Sequence, residues 1–357
     1  MKRRIAALLL GILCFLSGCS IRKEKPSSAA VPAGESAALR VHFLDVGQAD
    51  CELIELPGGK LLMIDAGEDP EAGTVISYIR ALGHEKVDIL IGTHPHSDHI
   101  GGMAAVIRAF DIGEVYLPRA TANTKVYESL LLSCREKGLG IHTAAAGKTL
   151  SLPEGVTGEF LAPVSQEADS LNNVSAVLRL CYGNTAFLFM GDAETKEENE
   201  ITGDVTADCV KVGHHGSNTS SGEEFVRKTG ASFAVISCGR NNSYGHPSAG
   251  IVSRWQGAGA TVFRTDELGT ILAVSDGKTV SVNGKSAPDP QSAVSDPGYL
   301  LNTKTKKVHY VNCQAAKNIS PENRAYTHQS LSQLYEQGYM PCGSCRPVTD
   351  QEERKNP

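Results

Sequence analysis

The sequence predicts an α+β fold in which two β-sheets pack face to face, with helices on their outer surfaces and a small C-terminal domain. Three observations lead to this prediction. Strands near both ends of the main domain follow one another as hairpins, while helical patterns intervene in the middle. A segment with three prolines, each next to an aspartate, indicates a linker at 284–298. A compact segment at 299–347 follows it.

Alternating or wholly apolar runs bounded by Gly, Asn and Asp predict the strands, taken in chain order. They lie at 39–46, 51–56, 60–64, 87–93, 175–181, 185–190, 209–212, 233–237 and 261–264, with a last hairpin over 271–282. Apolar residues at helical spacing predict helices. These lie at 72–82, 102–110, 126–137, 222–229 and 248–256. Together these elements define a main domain at 39–283.

Composition excludes some broad classes. With 41% hydrophobic and 21% charged residues, the chain is neither wholly disordered nor a protein of many membrane spans. Its formal net charge is −6, which argues against electrostatic wrapping of a polyanion by the whole protein. Any contact with nucleic acid must therefore be local.

The N-terminus has the layout of an export signal. A cationic start at 2–4 and an apolar run at 5–16 lead to L-S-G-C at 16–19, which resembles the lipobox of bacterial lipoproteins. This predicts a signal peptide at 1–18, a lipid-modified Cys19 and a flexible tether at 19–38. The protein would be exported and anchored by its lipid to the outer face of the cell membrane. The alternative is an ordinary cleaved signal with a chance cysteine.

The stretch L-I-G-T-H-P-H-S-D-H-I-G-G at 90–102 sets three histidines and an aspartate directly after an apolar strand. His94 and His96, two apart in an extended loop, can direct ring nitrogens to a common point. Asp98 and His99, where the next helix starts, can serve a second point nearby. Such ligands suit Zn²⁺, Mn²⁺ or Fe. The alternative, a solvated histidine-rich loop, is disfavoured by this spacing.

The motif H-x-H-x-D-H resembles the signature of the metallo-β-lactamase fold superfamily, an αββα sandwich with a dinuclear metal site. Further motifs over about 40–283 resemble, in order, the soluble domain of the DNA-uptake channel protein ComEC. These are F-L-D-V-G-Q-A-D (43–50), L-L-M-I-D-A-G (61–67), N-N-V-S (172–175), L-F-M-G-D (188–192), V-K-V-G-H-H-G-S (210–217) and Y-G-H-P (244–247). The membrane channel portion of ComEC is absent from this sequence.

The resemblance implies a set of metal ligands. His94 and His96 would bind the first metal, Asp98 and His99 the second, and Asp192 would bridge the two. One histidine of the pair His214–His215 would complete the second site.

We favour His214 as that ligand and leave His215 for substrate or for contact with a ligand. Asp65 would orient a ligand histidine by accepting its far N–H; the alternative is a simple strand-end turn. Members of the superfamily usually have a third histidine in the first site. Here Asn172 and Asn173 stand in the matching place, so Mn²⁺ competes with Zn²⁺.

Two such metals would polarise a phosphoryl oxygen and deliver an activated hydroxide. Segments 216–220 and 241–246 are rich in donors and could cradle anionic oxygens, with Ser217 among the candidates. His246 is the candidate for stabilising charge or protonating the leaving alkoxide; alternatively it caps the following helix. Asp98, His215 and His246 are thus the candidate catalytic residues.

The C-terminal segment carries a second ligand pattern. His309, Cys313, Cys342 and Cys345 form a His-x3-Cys and Cys-x2-Cys set, which suits a closed tetrahedral zinc site. The pattern resembles the zinc-binding domain of the DNA-repair protein Ada. A disulfide between Cys342 and Cys345 is the alternative. The five tyrosines of this segment could hold nucleic acid, or they could form its small core.

The sequence therefore predicts an exported, lipid-anchored, metal-dependent phosphodiesterase, with extracellular DNA as the leading substrate. Two divalent metals (Zn²⁺ or Mn²⁺) and one structural Zn²⁺ would be its cofactors, and no obligate protein partner is evident. One alternative is another metallohydrolase: a wall-polymer or phosphocholine phosphodiesterase, or a β-lactamase. The other is a DNA-binding lipoprotein with weak catalysis.

Overall fold

A computed structural model of the chain describes residues 38–165, 169–286, 299–310, 313–320, 323–327, 329, 331–345 and 347. The predicted signal peptide, Cys19 and all but the last residue of the predicted tether lie outside the described residues, as does most of the predicted linker. Among the helices of the described part, none is long and apolar enough to cross a membrane.

The main domain contains strands and short helices in alternation. Its strands are β1 (Leu39–Phe43), β2 (Glu52–Glu55), β3 (Leu61–Ile64), β4 (Lys86–Ile91), β5 (Asp111–Leu117), β6 (Ile141–Thr143), β7 (Val156–Phe160), β8 (Leu178–Tyr182), β9 (Thr185–Phe189), β10 (Cys209–Lys211), β11 (Phe233–Ile236), β12 (Thr261–Arg264), β13 (Ile271–Ser275), β14 (Val280–Val282) and β15 (Lys285–Ser286). Its helices are α1 (Ala72–Ala81), α2 (Ser97–Ile100), α3 (Met103–Ala109), α4 (Lys125–Glu136), α5 (Thr195–Glu200), α6 (Glu223–Thr229), α7 (Ala249–Gly257) and α8 (Thr265–Leu268).

These strands form two mixed sheets. The first has the order β15-β14-β13-β1-β2-β3-β4-β5-β6, and the second has the order β12-β11-β10-β9-β8-β7. Strands β3 to β6 run parallel to one another, as do β9 to β12. The hairpin-connected strands lie at the other side of each sheet. This arrangement follows from the connections, because hairpins give antiparallel neighbours and helical crossovers give parallel ones.

Alternation along the strands divides the core into layers. In β3, Leu62 and Ile64 face the second sheet, while Leu61 and Met63 face the helices α1, α3 and α4. The outer face of the second sheet packs against α6 and α7, where Trp255 is 1% exposed. The central strands of both sheets are therefore buried on both faces. The predicted fold, two face-to-face sheets with helices outside, is confirmed.

The structure also contains strands that the sequence analysis did not predict, namely β5, β6 and β7. The first half of β5, D-I-G-E, is exposed or half-buried and reads as a loop, and only its last three residues are buried. In β7 the short V-T-G-E-F run carries Gly158, which weakens a strand pattern. The main domain also extends past residue 283, because β15 pairs with β14 inside the predicted linker.

The C-terminal segment forms its own small sheet. Strands β16 (Tyr299–Asn302), β17 (Lys307–Tyr310), β18 (Arg324–Thr327) and β19 (Met340–Pro341) have the order β18-β16-β17-β19, with helix α9 (Leu331–Glu336) beside them. Tyr339 is buried with Val308 and Leu334, and Tyr299 and Tyr335 pack against the same cluster. These three tyrosines serve the core, as the second interpretation of the tail predicted.

A buried carboxyl group makes the stability of the main domain depend on pH. Glu197 in α5 is buried, and burial, together with nearby Glu200, raises the pKa of its carboxyl group from 4.5 to about 9. The folded state thus holds this proton more tightly than the unfolded state does. The free energy of unfolding therefore falls as the pH rises from about 4.5 toward 9.

We expect Glu197→Gln to raise the Tm at pH 8 by roughly 2–4 °C, for a gain of about 1 kcal/mol, because glutamine never ionises. At pH 4.5 the Tm should hardly change. Thermal unfolding followed by circular dichroism on metal-free protein measures both values. Glu223→Gln, at an exposed position of α6, is the control without a pH-dependent gain. An equal rise in Tm at both pH values would contradict the explanation.

Candidate metal centres

The predicted site residues follow the carboxyl ends of parallel strands in both sheets. Asp65 comes after β3, His94 after β4, Asp192 after β9, and the pair His214–His215 after β10. Strands β3 and β4 are parallel neighbours, as are β9 and β10. Because the carboxyl ends of parallel strands open at one edge of a sheet, the two sheets bring these side chains together.

A tight turn of helix completes the ligand-bearing loop. The short helix α2 begins directly after His96, so Asp98 and His99 lie on its single turn. The glycine after this turn is required by close packing, since a Cβ at Gly102 would lie 2.3 Å from the carbonyl oxygen of Ala66. The Gly-Gly that ends the motif therefore lets the loop pack against the end of β3.

Two groups of ligand atoms share one carboxylate. His94 Nε2 lies 2.9 Å from His96 Nδ1 and 3.8 Å from Asp192 Oδ2. The other oxygen, Asp192 Oδ1, lies 3.1 Å from His99 Nε2. Asp98 belongs to this second group, with its Oδ2 3.9 Å from His99 Nε2. Asp192 thus faces both groups, one with each oxygen, as a bridging ligand requires.

His215 lies in the second group of ligand atoms, whereas His214, the ligand favoured from the sequence, lies outside it with its Nε2 3.7 Å from Asp192 Oδ2. His215 is buried, and its Nε2 is 3.3 Å from Asp98 Oδ2 and 3.7 Å from Asp192 Oδ1. His214 is half-buried and faces the cleft, with its Nδ1 3.0 Å from Thr219 Oγ1. Both histidines have positive φ, 50° and 52°. This left-handed turn sends the two rings in different directions.

Asp65 is fully buried and contacts His99 from behind. Its Oδ2 accepts a hydrogen bond from His99 Nδ1 at 2.7 Å, which leaves Nε2 directed toward Asp192. Thr93 donates to the same carboxylate from its backbone N–H at 2.8 Å and from its hydroxyl at 2.6 Å. The backbone φ of Asp65 is 54°, a strained value for a non-glycine residue. Such contacts fix the ring that they orient.

The two aspartates of the ligand groups, Asp98 and Asp192, have lowered pKa values. Burial opposes ionisation of Asp192, but His99 and His215 hold the pKa of its carboxyl group well below its usual range. The pKa of Asp98 is also lowered despite burial, chiefly by its hydrogen bond from His215. Burial lowers the pKa of His94, which keeps the ring neutral. Despite burial, Asp192 raises the pKa of His99 and raises that of His215 to about 10, so a cation would bind these two rings by displacing their protons.

These donors fit divalent cations. His99 Nε2 and Asp192 Oδ1 are buried and have no hydrogen-bond partner among the described residues, although they are close together. Two buried polar atoms that lie close together without a hydrogen bond between them are placed to bind the same cation. Nitrogen and carboxylate oxygen donors together suit Zn²⁺ or Mn²⁺.

The two asparagines that stand in place of a third histidine lie beside the first group. Asn172 Nδ2 and Asn173 Nδ2 donate to the Glu194 carboxylate at 3.4 Å and 3.0 Å. Asn172 Oδ1 is buried and has no hydrogen-bond partner in the described part of the chain. Glu194 was not predicted from the sequence; it orients both amides.

A cleft of about 400 Å³ opens above the ligand groups. His246 lines it, and its ring stacks with Tyr244 at 5.8 Å and with His215 at 6.5 Å between ring centres. His246 does not cap the following helix, because that helix begins at Ala249 after Ser248. Ser217 is buried and turns toward Thr219, whose hydroxyl contacts His214, so Ser217 does not line the cleft.

Three further residues around the site were not predicted. Ser175 Oγ accepts from the backbone N–H of Asp192 at 3.1 Å. Asp50 and Lys211 form a buried ion pair of 2.6 Å beside His215. Both lie in motifs quoted above, F-L-D-V-G-Q-A-D and V-K-V-G-H-H-G-S. Their position in these motifs was the signal that could have identified them, but the sequence does not show that Asp50 and Lys211 are in contact.

The tail brings its four predicted ligands together. His309 is on β17, Cys313 follows it, and Cys342 and Cys345 follow β19, which pairs with β17. The four ligand atoms lie within 4.8 Å of one another. All cysteines in the described part of the chain are free, so the alternative disulfide is not formed there. This donor set fits a tetrahedral zinc ion.

Comparison with known proteins agrees with this geometry. The sequence is 30% identical to ComE operon protein 3 of Bacillus subtilis over 251 residues, covering 65% of this chain and 32% of that one. It is 30% identical to competence protein ComA of Neisseria gonorrhoeae over 247 residues, covering 68% and 33%. A UPF0173 metal-dependent hydrolase of Cupriavidus necator is 30% identical over 176 residues, covering 47% and 56%.

The chain therefore spans about a third of the length of the first two relatives. The resemblance to these proteins, expected from the order of the motifs, is confirmed. The sequence profile of the metallo-beta-lactamase superfamily matches residues 44–240, more than half of the chain. The matched region contains both ligand groups and strands β2 to β11. This protein belongs to the metallo-beta-lactamase superfamily.

Proposed function

We propose that this protein is a metal-dependent phosphodiesterase that cleaves DNA outside the cell, held at the membrane by a lipid on Cys19. One observation supports the hydrolase assignment above all: two groups of ligand atoms share Asp192 at the floor of an open cleft. The lipid anchor is supported by the L-S-G-C sequence and its preceding apolar run.

In this proposal His94 and His96 hold one cation, and Asp98, His99 and His215 hold a second, with Asp192 between them. When bound, such a pair polarises a phosphoryl oxygen and lowers the pKa of an attacking water. Zn²⁺ and Mn²⁺ both suit the ligand set.

Residues that line the cleft would contact the phosphate and the leaving group. His214 and His246 line the cleft outside the two ligand groups, with their rings 5.6 Å apart, and His214 Nε2 lies 3.7 Å from Asp192 Oδ2. Burial lowers the pKa of His246, so it is neutral at physiological pH. In this proposal His214 contacts the anionic phosphate, and the neutral ring of His246 donates a hydrogen bond from its N–H to the oxygen on which negative charge develops.

DNA is favoured by two features. The motifs of the main domain resemble those of the DNA-uptake protein ComEC, and a relative of this chain is named competence protein ComA. Tyr244 is 72% exposed at the mouth of the cleft and offers a flat aromatic face beside His246. Stacking on such a face suits a base of a single strand. The acidic whole chain makes any such contact local.

A substrate panel tests the proposal. Purified protein with added Zn²⁺ or Mn²⁺ should cleave bis-p-nitrophenyl phosphate and single-stranded DNA, and should leave a chromogenic cephalosporin intact. Asp192→Asn should bring cleavage to background, because it removes the ligand shared by both groups. Ser165→Ala, at an exposed position away from the cleft, is the control. Turnover of the cephalosporin alone would make the protein a β-lactamase and end the nuclease assignment.

Replacing His215 should lower metal binding, whereas replacing the adjacent His214 should lower the rate of the reaction. We expect His215→Ala to lower the metal content of purified protein by about one ion, because its ring lies in the second ligand group. His214→Ala should keep the metal content and lower kcat by about 10²–10⁴-fold, the range for loss of a positioned acid or base. Elemental analysis and steady-state kinetics measure both. The reverse pattern would restore the assignment of His214 as the ligand.

For the tail we propose one structural zinc ion held by His309, Cys313, Cys342 and Cys345. Cys345→Ser should lower zinc content by about one ion and make the tail sensitive to protease, because a segment of this size has little core of its own. Cys181→Ser, at a half-buried cysteine of the main domain, should change neither. Unchanged zinc content in Cys345→Ser would contradict the zinc assignment.

A further inference from the structure

A lysine is fully buried behind the second ligand group. Lys211, on β10, and Asp50, before β2, are each 1% exposed, and Lys211 Nζ lies 2.6 Å from Asp50 Oδ2. Lys211 Nζ also donates to the carbonyl of Val212 at 3.0 Å. Removing two charges from water is costly, and an apolar pair of similar size is often as stable or more so. This ion pair therefore calls for an explanation beyond stability.

The second oxygen of Asp50 faces a proposed metal ligand. Asp50 Oδ1 lies 3.2 Å from His215 Nδ1, and the carbonyl of Ser237 accepts from the same nitrogen at 3.0 Å. With two acceptors beside it, Nδ1 carries the ring proton. The free nitrogen, Nε2, is then the one that faces Asp98 and Asp192. Asp50 and Ser237 together set the tautomer and the direction of the His215 ring.

The backbone of Asp50 is tied to the same site. Its N–H donates to the carbonyl of Asp98 at 3.1 Å, and its carbonyl accepts from the N–H of Gly67 at 2.8 Å. Asp50 therefore touches the loop that carries Asp98 as well as the ring of His215. A shift of Asp50 would move both partners at once.

We propose that Asp50 and Lys211 are positioning residues for the second metal. Asp50 holds His215 by Nδ1, and Lys211 holds the Asp50 carboxylate in place and balances its charge inside the protein. This inference rests on the two-cation site of the proposed function. The inference also explains a charged residue in each of two separate motifs, since F-L-D-V-G-Q-A-D supplies Asp50 and V-K-V-G-H-H-G-S supplies Lys211.

The test replaces the whole pair, so that no lone charge stays buried. In Asp50→Leu/Lys211→Met we expect the Tm to equal or exceed that of the wild type, while the second zinc ion binds about 10–100-fold more weakly, the usual cost of losing a group that orients a ligand. Zinc titration against a chromophoric chelator gives the number and affinity of ions. Any zinc in the tail counts equally in every variant.

Two further variants sharpen the result. Asp50→Asn/Lys211→Met keeps an oxygen facing His215 and should weaken the second ion less than the leucine variant does. Arg179→Met/Asp204→Asn removes an ion pair of 2.8 Å between β8 and the loop before β10, and this variant should bind zinc as the wild type does.

The outcomes separate this inference from the proposed function. Wild-type zinc number and affinity in both Asp50 variants would overturn the positioning role, and so would failure of both to fold, which makes the pair structural. If the wild type binds no zinc beyond the ion of the tail, the two-cation site itself is wrong. If it binds the ions but cleaves no phosphodiester, only the proposed reaction fails.

Discussion

The Asp192 carboxylate, shared between two groups of histidine and aspartate ligands, is the constraint on which the rest of the main domain depends. For its two oxygens to face both groups, the ends of β4, β9 and β10 must meet within a few ångströms. The sandwich achieves this by placing the carboxyl ends of parallel strands from both sheets at one edge. The two-sided burial of these strands then keeps the edge rigid, since close-packed cores deform little.

Bringing these side chains together has a structural cost. Asp65, His214 and His215 all have positive φ, and such backbone costs on the order of 1–3 kcal/mol per residue. Four carboxylates are crowded into the same region, from Asp50, Asp65, Asp98 and Asp192. Histidines and the buried Lys211 offset part of that repulsion. Strain and like charge concentrated at one edge are typical of a site kept for binding and not for stability.

The site divides into a rigid floor and a more open wall. Several side chains on the floor have a partner that orients them: Asp65 contacts His99, the carbonyl of Ser237 contacts His215, and Glu194 contacts the two asparagines. The wall carries Tyr244, which is largely exposed and rests on His246. Metal binding therefore depends on the sandwich, while the choice of substrate depends on loops that leave the core unchanged. The tail contributes a separate donor set of sulfur and nitrogen, on its own sheet.

The sequence by itself determined the two-layered fold, most helices and the close spacing of the candidate ligands within H-x-H-x-D-H, because local periodicity and spacing carry that information. It missed β5 and β7, whose half-exposed residues and glycines blur the strand pattern. Only the tertiary structure placed His215 within the second ligand group and His214 outside it, since backbone φ and the neighbouring strand set the ring direction. The tertiary structure alone shows that Asp50 pairs with Lys211, because residues 161 positions apart meet only through sheet packing.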